Sequence, residues 1–296
     1  MKKETKLSCI LCLLLILWGH SLWSQELQLA GFNFTRFPGA EVADAPLNQK
    51  IEVNEYNFFV NLPKQLKNEK TIVLNGLQYK LTTPFADNDL ALGIDGQNLH
   101  LIGYRLTVLH QLKKDWSLIA MINPTLSSTF NVPLEGDDLL VNGTIQAVRK
   151  KSDRFHYGGG LLVTSRFGNP ILLPTIQLKW KSEKSQFHVF LPRSITYDRY
   201  YKRFTAGIHA VVDGSLYNVN FELNAEPVDK VAYTRVTAGP KFSYRLGKIL
   251  QLEASGGVVA GRSVELQSEV FEDRTNNVDS GAFFQFGISL VPPVKE

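Results

Sequence analysis

Apolar and polar residues alternate one by one along most of the chain. In Leu216 to Ala225, Tyr217, Val219, Phe221 and Leu223 are interleaved with Asn218, Asn220, Glu222 and Asn224. A β-strand sends successive side chains to opposite faces, so such a segment is a strand with one apolar and one polar face. The period recurs where Val236, Ala238, Phe242, Tyr244 and Leu246 oppose Arg235, Thr237, Lys241, Ser243 and Arg245. It recurs again where Ile102, Tyr104, Leu106 and Val108 oppose Arg105, Thr107 and Gln111, and where Leu172, Ile176, Leu178 and Trp180 oppose Thr175, Gln177 and Lys179. The last segment sets Ala282, Phe284, Phe286, Ile288 and Leu290 against Gln285, Gly287 and Ser289. The pattern predicts about fourteen strands, at 27–36, 51–61, 70–82, 99–112, 116–126, 139–149, 155–166, 170–180, 186–192, 203–212, 216–225, 231–246, 249–261 and 281–290.

A soluble sandwich buries the apolar face of such strands, whereas a membrane barrel turns it to lipid. Three features favour the barrel. Most predicted strands run to about 9 to 13 residues, the length a tilted strand needs to cross a bilayer. Tyr104, Trp116, Trp180, Tyr217, Tyr233 and Tyr244 stand near strand ends on the apolar face, as an interfacial girdle does. The links also sort by parity. Tight polar turns at 113–115, 150–153, 181–184, 213–215 and 247–248 alternate with mostly longer links at 38–50, 83–98, 127–138, 192–202 and 262–280; the links at 168–169 and 226–230 are short. Short periplasmic turns and longer outer loops are the barrel arrangement. The expected fold is therefore all-β: a transmembrane antiparallel up-and-down barrel of about fourteen strands, or twelve if the first pair forms a periplasmic lead or plug. Pro174 and Pro240 fall inside predicted strands, where a residue without an N–H implies a bulge or a shifted boundary.

The N-terminus sets the compartment. Lys2, Lys3 and Lys6 precede an apolar run from Leu7 to Trp18, and Gln25-Glu26 opens the polar chain. This is the layout of a cleaved secretory signal, and the run is shorter than the ~20 residues of a membrane helix. The expected organisation is a signal peptide, 1–24, followed by one barrel domain, 25–296. Cys9 and Cys12 leave with the signal, so no disulfide framework or thiolate site remains. Losing three lysines and one glutamate lowers the net charge from +4 to about +2, too little to suggest nucleic acid. A mean hydropathy of −0.09 suits a barrel, in which lipid-facing and lumen-facing residues alternate.

With the signal ending at Ser24-Gln25, the turn Leu112-Lys113-Lys114-Asp115-Trp116-Ser117-Leu118 and the closing strand Gly281 to Leu290, the chain resembles outer-membrane β-barrel proteins of Bacteroidota, in particular an uncharacterised family of similar length. More loosely, it looks like outer-membrane barrels that carry small apolar solutes. The resemblance implies embedding in outer-membrane lipid, and recognition by the barrel-assembly machinery through a last strand ending in an aromatic. Here that strand ends at Leu290, with Val291 to Glu296 beyond it.

Catalytic chemistry is weakly signalled. Of His100, His110, His156, His188 and His209, only His209 is expected to face the lumen amid polar neighbours. No Gly-x-Ser-x-Gly and no His-x-x-x-His spacing occurs, so no catalytic, cofactor-binding or metal site is expected. Asp137-Asp138 falls in an expected outer loop and reads as solvated, and Asn142-Gly143-Thr144 reads as a chance sequon. The polar parity of the strands predicts a lumen lined by Arg105, Arg166, Lys179, Arg203, His209, Asn218, Asn220, Glu222, Arg235, Lys241, Arg245 and Glu253, with Lys80 and Glu55. The cationic bias would draw anions into an open pore. The expected function is a passive channel or transporter for small solutes. The alternatives are a partner-binding barrel with a plugged lumen and a barrel enzyme acting on lipid.

Overall fold

The computed structural model describes residues 27–43, 49–86, 97–131, 134, 136–165, 170–223, 226–268, 270 and 272–293; the expected signal peptide lies outside them. Among the described residues the strands are β1 (Ala30–Glu41), β2 (Lys50–Gln65), β3 (Thr71–Ala86), β4 (Leu99–Gln111), β5 (Trp116–Ser128), β6 (Leu139–Lys150), β7 (Phe155–Thr164), β8 (Ile171–Lys181), β9 (Ser185–Leu191), β10 (Ser194–Tyr200), β11 (Phe204–Leu223), β12 (Glu226–Leu246), β13 (Leu250–Gln267), β14 (Arg274–Val278) and β15 (Gly281–Leu290). Neighbours in sequence pair antiparallel, and β1 pairs β15 with Ala30 opposite Leu290, closing the sheet on itself. Both β14 and β15 pair with β13, in tandem, so they form one wall line interrupted at Asp279-Ser280. The fold is a closed antiparallel barrel of fourteen wall strands.

The expected count holds, but through two compensating differences. Pro192–Lys202 is not a link: it contains the turn at 192–193 and all of β10. Its seven residues alternate Ile195, Tyr197 and Arg199 with Ser194, Thr196 and Asp198, too short a run to stand out. Asp213-Gly214-Ser215 is not a turn, because β11 runs through it in register with β12, Asp213 opposite Arg235. A turn-forming tripeptide stays extended here because a partner strand satisfies its backbone groups. Likewise the expected loop 262–280 is largely ladder, with β13 continuing to Gln267 against β14.

All six connections at one end are short: 66–70, 112–115, 151–154, 182–184, 201–203 and 247–249. This end also holds Ala30 and Leu290 and is called the near end; the opposite is the far end. Along β1, β2, β11, β12 and β13 the alternation reverses sign part-way up. On β2, Phe58, Val60 and Leu62 point outward near the near end, while Asn57 lines the interior. Four residues and more further up, Ile51 and Val53 are buried inside and Glu52 is outside, paired with Arg36 at 2.9 Å. The lower tier is thus apolar outside and polar inside; the upper tier is apolar inside and polar outside, as in a water-soluble protein.

The upper tier is a narrower ring than the lower. β9 and β10 have only seven residues each, and β10 pairs β11 no higher than Val211. Above that point β11 crosses to β5: Asn218 pairs with Ser128 in parallel, and the Ser127 hydroxyl donates to the Leu216 carbonyl at 2.6 Å. On the other side a bridge between Val42 and Val278 joins β1 to β14. The ring so closed skips β6–β10 and is filled by Phe37, Val53, Tyr217, Val219, Val231, Val264, Leu266 and Phe283. These side chains form the core of the molecule and cap the far end.

β6–β10 form a lower wall. β8 pairs with β9 only from Ile176 onward, so its first residues have no β9 partner among the described residues. A notch therefore lies above the β9–β10 turn, between the free upper edges of β8 and β11. Pro174 sits on that free edge of β8 while remaining in register with Leu161 of β7. Neither bulge nor boundary shift is needed, because an edge is where a missing N–H costs nothing. Pro240 is likewise in register, opposite Ile208, and no β13 pairing falls at its position.

Candidate functional site

Beneath the cap lies a cavity of about 620 Å³, the barrel lumen. Its walls are the inward residues of the lower tier, and they are polar because the apolar parity is spent on the exterior. The cavity reaches Gln28, Tyr200, Thr205 and Gln251 at the near end. At the other extreme it reaches Leu140, Ser165, Arg193 and Ser194 on the rim of the lower wall. Gly214 and Leu216 of β11 line it too, although their parity is outward, because the cavity runs up to the free edge of that strand at the notch.

The roof is a buried ion network. Arg235 Nη2 donates to Glu55 Oε2 at 2.6 Å and lies 3.4 Å from Asp213 Oδ2. Lys80 Nζ is 3.7 Å from Glu55 Oε1 and donates to Ser215 Oγ at 2.5 Å. The guanidinium sits in the corner between two rings set nearly at right angles, 4.7 Å over Phe37 and 5.0 Å over Tyr233. Above it the Thr82 and Tyr217 hydroxyls bond at 2.9 Å, and the apolar core begins. Arg235, Glu55 and Lys80 each come from a different strand, so the network ties β12, β2 and β3 across the bore. Lower down, Lys241 Nζ meets Asp198 Oδ1 at 2.8 Å, near His188 and His209. At the near end the Glu253 Oε1 atom accepts from Gln28, from Gln251 at 2.9 Å and from Ser289 at 3.0 Å.

The expected lumen set divides. Arg105, His209, Arg235, Lys241 and Glu253 line the cavity, with Lys80 and Glu55. Lys179 points inward beside His156 and His188 but is buried against the wall rather than lining the space. Arg245 reaches across the near end to the Pro292 carbonyl at 3.0 Å. Arg203 is exposed in the near-end turn 201–203, not in the lumen. Arg166 lies outside the described residues. Asn218, Asn220 and Glu222 are not in the lumen: they belong to the upper tier of β11, where Tyr217, Val219 and Leu223 take the inside. Periodicity shows that a strand has two faces, not which one is inside.

Sequence reasoning also missed lumen residues. His188 lines the cavity, in addition to His209. Asp198 and Asp213 supply carboxylates that the expected cationic lining lacked, one on the unrecognised strand β10 and one in the mistaken turn. With Glu55, Asp198, Asp213 and Glu253 set against Lys80, Arg105, Arg193, Arg235 and Lys241, the lining is close to neutral, and its main cations are engaged. The Lys241 end of the Lys241–Asp198 pair is partly exposed, but Asp198 is buried. Lys241→Ala deprives a buried carboxylate of its cation and is expected to destabilise by about 1–3 kcal/mol, read from the denaturant midpoint.

A family model described as a domain of unknown function (DUF6268) matches residues 47–291. No curated protein sequence matches the chain. Similar solved structures include an outer membrane channel from Pseudomonas putida F1, at 8% identity and a TM-score of 0.47, covering 92% of this chain and 99% of that one. Another is the TodX monoaromatic hydrocarbon channel as a deltaS2 mutant, at 10% identity and a TM-score of 0.40, covering 90% of each chain. LpxR from Salmonella typhimurium has 8% identity and a TM-score of 0.36, covering 88% of this chain and 99% of that one.

Proposed function

The chain belongs to the DUF6268 family, a domain of unknown function, and from its geometry we propose that it is an outer-membrane barrel acting as a passive channel for small solutes. Membrane embedding is supported by the lower tier, whose outer surface exposes Phe58, Leu77, Ile176, Val258 and Phe286 around a closed sheet with no unpaired edge at that level among the described residues. Closure satisfies the backbone hydrogen bonds that hydrocarbon cannot.

The observation that carries the channel reading is the extent of the polar cavity, from Gln28 at the near end to Ser194 at the notch. The apolar core blocks the axial route, so the path turns sideways under the cap. The seven residues of β9 rise about 18 Å at the usual barrel tilt. An outer-membrane apolar band is about 25 Å tall, so the notch opens near the outer edge of the bilayer rather than above it. A solute leaving there meets lipid on one side and the polar lumen on the other, which favours small amphiphilic solutes over strongly hydrated ions.

Efflux from proteoliposomes tests this. Wild-type protein is expected to speed release of a small amphiphilic dye, and Ser194→Trp, which fills the notch, is expected to cut that release at least about fivefold with unfolding unchanged. Unchanged release in the variant would sink the side route. No release by wild type would leave the barrel a plugged, structural one.

A further inference from the structure

Charge is divided between the two ends of the barrel. The six near-end turns carry ten lysines and arginines against four carboxylates. Every one of those turns contributes an exposed lysine: Lys67, Lys113, Lys151, Lys184, Lys202 and Lys248. The links at the other end carry, by sequence, eleven carboxylates against two arginines. The near-end cations therefore form a collar, unlike the nearly balanced lumen.

Position and orientation point to what the collar meets. Just inside it, the outer wall bears exposed or half-exposed aromatics, among them Trp116, Trp180 and Phe204, and Tyr201 stands in the collar itself. The Arg149 guanidinium lies 5.9 Å over the Trp116 ring, and Arg199 lies 6.0 Å over Tyr201. Both arginines are on the outward parity of their strands, so they hold positive charge against the outer wall, where the apolar belt gives way to turns. At that height an embedded barrel is surrounded by lipid head groups, not bulk water. Each Lys or Arg near an anionic bilayer surface contributes about 1 kcal/mol at low salt, and aromatic contact keeps the arginines there.

We propose that the collar is a binding surface for anionic phospholipid head groups, the barrel selecting lipids such as phosphatidylglycerol over zwitterionic ones in the leaflet its short turns face. The proposal rests on the membrane-embedded reading but on neither the lumen nor the notch.

A chain produced from Gln25 onward provides its own probe, because its tryptophans are Trp116 and Trp180, both on the outer wall at the collar. The protein is reconstituted in phosphatidylcholine vesicles containing brominated phosphatidylglycerol or, in parallel, brominated phosphatidylcholine, and tryptophan quenching is titrated. Brominated phosphatidylglycerol is expected to compete at least about threefold better, with the preference lost in 1 M salt. In a Lys113→Gln, Arg149→Gln, Lys151→Gln, Lys184→Gln variant the preference is expected to fall to one, while quenching by brominated phosphatidylcholine stays at the wild-type level and reports intact insertion. Equal quenching of wild type by both lipids would overturn the collar and leave the barrel embedded. No quenching by either would overturn the embedded reading, and the collar with it.

Discussion

Glu55→Ala is expected to destabilise the folded barrel by about 3–5 kcal/mol, the largest effect of any single side-chain deletion in the lumen. Glu55 is the carboxylate shared by Arg235 and Lys80, and its side chain and that of Arg235 are 7% and 5% exposed. Removing it leaves two cations buried beneath an apolar core, and Asp213, at 3.4 Å, is a distant substitute for a 2.6 Å contact. The attraction itself is not the source of the loss, since two charges taken from water gain little net energy even when paired. The asymmetry gives the control. Replacing Glu55, Arg235 and Lys80 together by leucine, methionine and methionine is expected to recover most of the loss, because the carboxylate that then loses a cation, Asp213, is 28% exposed and stays hydrated. Urea titration of the reconstituted protein, followed by the shift between folded and unfolded gel mobility, reads both. A single variant as stable as wild type would show that water reaches the roof and that the cap is not dry.

Gly160→Ala is expected to be the most disruptive methyl added anywhere in the wall, costing at least about 3 kcal/mol or preventing closure. A Cβ at Gly160 would lie 1.9 Å from the Ile145 carbonyl oxygen and 2.8 Å from Gln146 Cα. These are backbone atoms of the neighbouring strand β6, so no side chain can swing away; the sheet itself must part. Gly158 has the same relation to Ala147, with its oxygen at 2.3 Å, which explains why β7 carries three consecutive glycines in a region that otherwise favours branched residues. Gly136→Ala, with nothing within 4 Å of the added carbon, is the matched control and is expected to be neutral within about 0.5 kcal/mol. Equal behaviour of the two variants in the same titration would mean that β6 and β7 are not packed this closely.

Much of this architecture was legible in the chain. The near-end turns at 113–115, 150–153, 181–184 and 247–248 stand out because each is a run of charged or turn-forming residues between long alternating segments. The two-tier plan was not legible, for a physical reason. A period of two is unchanged when inside and outside are exchanged, so Leu216–Ala225, the plainest amphipathic segment, reads the same in lipid as around a dry core. What decides is long-range: β9 and β10 stop after seven residues, and β11, deprived of a partner, leans across to β5. The lumen set departs from strand parity for the same cause. Asn218, Asn220 and Glu222 have the right polarity on the wrong tier, and Asp198 and Asp213 were hidden in a short strand and an apparent turn. Pro174 was the one local sign of the notch, marking a free edge in a wall that should have none.

The crossing from β5 to β11 also separates two properties that a simple barrel must set together. Ser128 and Asn218 are neighbours in space, and everything between them in the chain is a detour whose two ends meet. Hairpins can be gained or lost within that detour while the ring that carries the cap stays closed, so bore width and roof are free to vary independently. Relatives of different length are expected to differ chiefly between β5 and β11, keeping Phe37, Glu55, Tyr217 and Arg235 in place above lumens of different calibre.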